Sequence, residues 1–144
     1  MYTQTKIFPV FAPIQKKGRT YDKMTKDFRE AYNRPGVYII FKSVKGEFSP
    51  IYVGKSNTNA GKSAARHFYR YNDKKTKDER GEKNANFQYR TSFENEKKTA
   101  KFLVKFYLWP EGKTTEKERD EIGEKEADLI RKLSPKYNRD LNPF

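Results

Sequence analysis

Two short apolar runs stand out, Gly36-Val37-Tyr38-Ile39-Ile40-Phe41 and Ile51-Tyr52-Val53-Gly54, separated by the mostly polar link Ser43 to Ser49. Such density of β-branched and aromatic residues reads as strand. Pro35-Gly36 suits a turn before the first run, Pro50 opens the second, and Gly46 marks the tip of a loose hairpin between them. Side chains alternate faces along a strand. Val37, Ile39 and Phe41 are therefore expected on one face and Tyr38 and Ile40 on the other, while Ile51 and Val53 oppose Tyr52. A hairpin folded symmetrically about Lys45 sets Tyr38 directly across from Tyr52.

Elsewhere the pattern is helical or irregular. Residues 1–20 are apolar in part but broken by Pro9 and Pro13, and read as an arm packed against the body. Met24, Phe28, Ala31 and Tyr32 fall on one side of a helix from Thr20 to Tyr32, stopped before Pro35. Ser63 to Tyr71 reads as a short helix with Ala64, Ala65 and Phe68 inward. Asn72 to Ala85 is a hydrophilic loop. Phe87 to Phe93 and Lys101 to Trp109 follow as strands of a second hairpin. The last element opens on Thr115-Glu116-Lys117-Glu118, which has the form of a capping box. It runs as a helix to Leu133, where Ser134-Pro135 ends it, with Ile122, Leu129, Ile130 and Leu133 along one face. The whole predicts one α/β (α+β) domain over 1–144, a central antiparallel sheet of three to four strands flanked by helices. Within it, 1–33 is an arm and helix and 34–138 the core.

Composition narrows the partner. A formal net charge of +13 on 144 residues calls for an anionic partner, nucleic acid before a membrane surface. No apolar run approaches the roughly 20 residues that span a bilayer. Cysteine is absent and there is one histidine, which excludes disulfides and thiolate metal sites and fits a reducing, cytoplasmic setting. Two Gly-Lys-Ser triplets, at 54–56 and 61–63, suggest a phosphate loop. The glycine that motif needs five residues earlier is Ser49 in one case and Ser56 in the other, so that reading is rejected. Glu126 is the conspicuous carboxylate. The helix carries ample solvent-facing acids, yet this one falls on the apolar stripe one turn after Ile122. It either reaches sideways to a lysine or faces a cleft and holds a metal ion.

Gly36-Val37-Tyr38, Tyr52-Val53-Gly54, Arg66, Glu126 on its helix, and Pro135 followed by Asn138 together resemble the GIY-YIG nuclease family, in the family's order, from about residue 34 to 138. The resemblance implies a metal-dependent endonuclease, most simply acting on double-stranded DNA with Mg²⁺ or Mn²⁺. It implies Tyr38 as the base that activates water, Tyr52 as its helper, Glu126 as metal ligand, Arg66 on the phosphate and Asn138 as an anchor. Lys55 is placed to stabilise a phenolate, and Gly54, Lys55, Lys62 and Arg70 are candidate nucleic-acid contacts. His67 fills the place after the hairpin in a shifted register that puts Ser63 where the arginine belongs, so Arg66 and His67 both stand as candidates. The rival is a basic binding module without activity, its tyrosines stacking on bases; a carboxylate at Glu126 gives such a module nothing.

Overall fold

The computed structural model describes residues 2–11, 19–68 and 101–141. Its centre is an antiparallel sheet of strands β1 (Thr3–Gln4), β2 (Phe8–Phe11), β3 (Gly36–Val44), β4 (Glu47–Ser56) and β5 (Lys101–Leu108). The order is β1-β5-β3-β4, with β2 also on β5 beyond β1, so among the described residues β4 forms one edge. Helix α1 (Arg19–Asp27) and a 3₁₀ turn (Arg29–Ala31) precede β3. Helix α2 (Ala60–Ala65) with a 3₁₀ turn (Arg66–Phe68) follows β4, and α3 (Glu116–Leu133) and α4 (Lys136–Leu141) close the chain. The expected α+β class with a small antiparallel sheet and flanking helices is the fold observed.

The arm is more regular than its prolines suggest. Phe8 and Val10 alternate into the core while Pro9 pairs opposite Leu103 in a strand that adds to β5. Between the two short strands Thr5 keeps the ladder going: its N–H donates to the Phe106 carbonyl at 3.0 Å, and its Oγ1 accepts from the Phe106 N–H at 3.1 Å. The predicted strand at 87–93, the loop at 72–85 and Arg70 lie outside the described residues.

The hairpin departs from its expected register. Its turn is not a loose link but two residues, Lys45 and Gly46, both at positive φ (51° and 81°). That matches the twist of the flanking strands and lets β3 and β4 pair up to Val44 and Glu47. A bulge then interrupts the register between Ile40 and Phe41, with Ile51 as the extra residue on β4. Tyr38 consequently faces Gly54, and Tyr52 faces Ile40. The bulge also separates two residues expected to share a face: Ile51 packs with Tyr38 and Ile40, Val53 with Val37 and Ile39. Pro50 lies inside β4 rather than at its start, which is tolerated because, among the described residues, β4 carries ladder bonds on one side only.

Each sheet face has its own core. Tyr38, Ile40, Phe106 and Phe102 pack with Met24, Phe28, Ala31 and the alanines of α2. On the opposite face Val37, Ile39, Val53 and Trp109 pack against Ile122 and Leu129 of α3. Helix α3 carries the predicted capping box: Thr115 Oγ1 accepts from the Glu118 N–H at 3.1 Å, and Glu118 Oε1 accepts from the Thr115 N–H at 3.0 Å. Helix α2 begins earlier than the sequence indicated, because Asn59 caps it by accepting from the Lys62 N–H at 3.0 Å. Gly61 explains the second Gly-Lys-Ser triplet. A Cβ there would lie 2.8 Å from the Tyr32 backbone nitrogen, so the glycine lets α2 close onto the 3₁₀ turn.

Helix α4 secures the free edge of β4. Asn138, buried, accepts from the Val53 N–H at 2.7 Å and donates to the Val53 carbonyl at 2.9 Å, as a neighbouring strand would. An Asn138→Ala variant leaves two buried backbone groups unpaired, at about 1–3 kcal/mol each. Urea denaturation is expected to show a loss of a few kcal/mol relative to wild type.

Candidate active site

The candidate residues that are described come from β3, from β4 and from the three helices that pack on β4. Tyr38 is held most tightly. Only 2% of it is exposed, and its Oη lies 2.9 Å from His67 Nε2 and 3.1 Å from Ser63 Oγ. Ser63 and His67 are four residues apart, one turn on the α2 segment and its 3₁₀ extension, so both can reach one hydroxyl. Gly54 is the floor beneath. A Cβ built there would come 2.4 Å from Tyr38 Oη and 2.5 Å from the carbon that bears it, so any side chain displaces the phenol. This is a packing reason for a glycine two residues after Tyr52, and it leaves Gly54 buried rather than available to a ligand. Gly36 is constrained likewise, since a Cβ would meet the Tyr107 carbonyl oxygen at 2.2 Å.

Tyr52 is half-buried, its ring 6.2 Å from that of Tyr38 and 5.0 Å from that of His67 between centroids. The three rings form one aromatic cluster, assembled by the bulge that brings Tyr52 diagonal to Tyr38. Lys55, next but one to Val53, pairs with Val37 and so projects to the α3 face. There its Nζ lies 3.9 Å from Glu126 Oε1, so the lysine's charge is directed at the carboxylate. Asn138 grips Val53, the residue between Tyr52 and Gly54, and thereby fixes the strand that carries the others.

The electrostatics reverse one expectation. Burial, then the neighbouring Tyr52, push the Tyr38 phenol well above its ordinary range, and Glu126 adds to this; the Ser63 hydrogen bond and the Arg66 charge pull the other way without prevailing. Burial and Glu126 push Tyr52 up to about 12. Both phenols therefore stay protonated at neutral pH, and Tyr38 is not a standing phenolate. Burial also raises the Glu126 carboxyl, opposed by Lys55. Among the described residues the ion pair this half-buried carboxylate makes is with Lys55, whose ammonium stands beyond hydrogen-bond distance.

Arg66 and His67 resolve geometrically. His67 faces the tyrosines, whereas Arg66 is exposed and acts on Tyr38 through its charge. Lys62 is exposed on α2, and Arg70 lies outside the described residues. Ser63, which the sequence offered only as a vacancy in the arginine's place, is a direct partner of Tyr38; its spacing of four from His67 is the signal that finds it. Among the described residues no three His, Cys, Asp or Glu side chains cluster to hold a metal, so Glu126 stands as a lone carboxylate. Such a ligand suits Mg²⁺, which keeps several waters and takes substrate phosphate oxygens as further ligands. Among the described residues no helix is long and apolar enough to cross a membrane. No protein-family model matches the chain, and no curated protein or solved structure does so either.

Proposed function

We propose that the chain is an endonuclease of the GIY-YIG kind, hydrolysing phosphodiester bonds in double-stranded DNA with Glu126 holding one divalent ion, Mg²⁺ or Mn²⁺. The observation that carries the reading is the Tyr38 hydroxyl on β3, buried and hydrogen-bonded to His67 and Ser63, with the neighbouring strand β4 presenting Tyr52 and the lysine that pairs with Glu126, whose charge acts on both phenols. A buried phenol with a raised pKa does not act as a phenolate, but it can relay a proton. With neutral His67 offering Nε2 as acceptor, Tyr38 donates to it as the phenol oxygen takes a proton from the attacking water. The water becomes the nucleophile, the proton rests on the imidazole, and Tyr38 ends as it began. The bound ion would supply Lewis acidity at the phosphate and leaving oxygen. Arg66 and Lys62, both exposed on the same segment, offer cations to the phosphate backbone.

The rival reading, a binding module whose tyrosines stack on bases, is poorly served by this arrangement. Stacking needs an open ring face, and Tyr38 is 2% exposed. The test is incubation of purified protein with supercoiled plasmid and Mg²⁺, with and without chelator. Nicked or linear product that disappears with chelator is expected; intact plasmid in both arms refutes the proposal. Binding is expected to fall steeply with salt, with a slope of log K on log salt of about −0.9 per phosphate neutralised. A flat response in a fluorescence-anisotropy titration would rule out phosphate recognition by this chain, whose net charge is +13.

A further inference from the structure

Glycine inside a helix costs about 1 kcal/mol relative to alanine, yet Gly123 sits in the middle of α3. It lies three residues before Glu126, hence on the same side of the helix. A Cβ built there would stand 3.6 Å from Lys55 Nζ, its single close neighbour among the described residues. That is an ordinary van der Waals separation, so the lysine's ammonium lies over the helix surface at Gly123, beside the carboxylate. Lys55 is 43% exposed and comes from an edge strand, so it is free to swing. At 3.9 Å from Glu126 Oε1 it makes a Coulomb contact rather than a charge-assisted hydrogen bond, which would be shorter.

We propose that Lys55 is the resting site's own cation: it lies over Gly123 beside Glu126, gives up that carboxylate when a divalent ion loads, and turns to the substrate phosphate. The inference rests on Glu126 as the metal-holding residue. One carboxylate cannot neutralise an ammonium and a divalent ion together, so in the free protein the two cations compete. A phosphate that draws the ammonium away removes the competitor, and by linkage the ion then strengthens nucleic-acid binding by the same factor. Metal and substrate therefore load together, and a free protein in the presence of metal alone stays largely unloaded.

The test is Mn²⁺ binding to the full chain without nucleic acid, followed by electron paramagnetic resonance, for wild type, Lys55→Met, Lys55→Gln and Glu126→Gln. Both neutral substitutions at Lys55 are expected to tighten Mn²⁺ binding about threefold to tenfold, the size of a partly exposed ion pair at this separation, while slowing plasmid cleavage. Tighter metal with slower cleavage is a pairing that a merely structural lysine does not produce. If both Lys55 variants bind Mn²⁺ as wild type does or more weakly, while Glu126→Gln loses it, the inference fails and the metal site stands. If Glu126→Gln binds Mn²⁺ like wild type, the metal site fails and the inference with it.

Discussion

Replacing Glu126 with glutamine is expected to abolish cleavage while leaving DNA binding intact or tighter. The change keeps the side chain's size, so the packing of Ile122 and Leu129 beneath it is undisturbed. Lys55 loses its counter-charge but is 43% exposed, and water solvates it. What goes is the ionised oxygen to which the proposed function assigns the divalent cation. A Lewis acid at the phosphate is worth several kcal/mol of transition-state stabilisation, so at about 1.4 kcal/mol per decade the rate falls by roughly 10³ or more. Removing a negative charge from a basic surface favours the polyanion. Single-turnover cleavage of a labelled duplex, with anisotropy measured in parallel, separates the two effects. Wild-type cleavage by Glu126→Gln, or cleavage that persists in excess chelator, would overturn the assignment of the metal to this residue.

The elements easiest to read were those whose signal is local. The capping box at Thr115 and the stop at Ser134-Pro135 bound α3 almost to the residue, because the cap satisfies backbone groups using side chains only three positions away. The strands of the hairpin were equally plain. Its register was not, because it depends on a two-residue turn and a bulge. Lys45 at positive φ carries no compositional mark, and nothing in Pro50-Ile51-Tyr52 announces that Ile51 is the unpaired residue. That slip decides the site: it sets Gly54, not Tyr52, under Tyr38 and turns the two phenols into diagonal neighbours. The arm's strands are hidden in the sequence for a different reason. Two prolines argue against a central strand, but Pro9 sits in a strand laid outside β5, where a missing N–H costs little. Glu126 was legible as an acid on an apolar stripe, but its partner was not. Lys55 reaches it only because alternation along β4 turns the lysine toward α3. The role of Tyr38 changed most. The sequence gives its neighbours in order, but burial, which decides whether a phenol ionises, is a property of the folded core.

His67→Ala is expected to be the crippled variant of the segment after the hairpin, and Arg66→Ala the milder one. The two residues are adjacent and on a 3₁₀ turn point about 120° apart, so they cannot both face Tyr38. His67 Nε2 is 2.9 Å from the phenol oxygen, while Arg66 is exposed. Alanine at 67 removes the acceptor and leaves the Tyr38 proton only Ser63, whose hydroxyl is a far weaker base than imidazole. A positioned general base contributes about 10²–10⁴ in rate, and a loss in that range is expected under single-turnover conditions. Affinity for the duplex should scarcely change, because the imidazole is directed at the phenol and not at the phosphate. Arg66→Ala removes one charge from an exposed position, a loss on the order of tenfold, of the size expected for a partly screened cation, and it should weaken binding together with rate. Imidazole added to His67→Ala should restore part of the activity, since the cavity left beside Tyr38 has the shape of the ring that was removed. If instead Arg66→Ala is crippled, His67→Ala cuts nearly as wild type and imidazole has no effect, the proton does not travel through Tyr38 to His67. The hydrogen bond between them is then structural, and the water must be activated elsewhere.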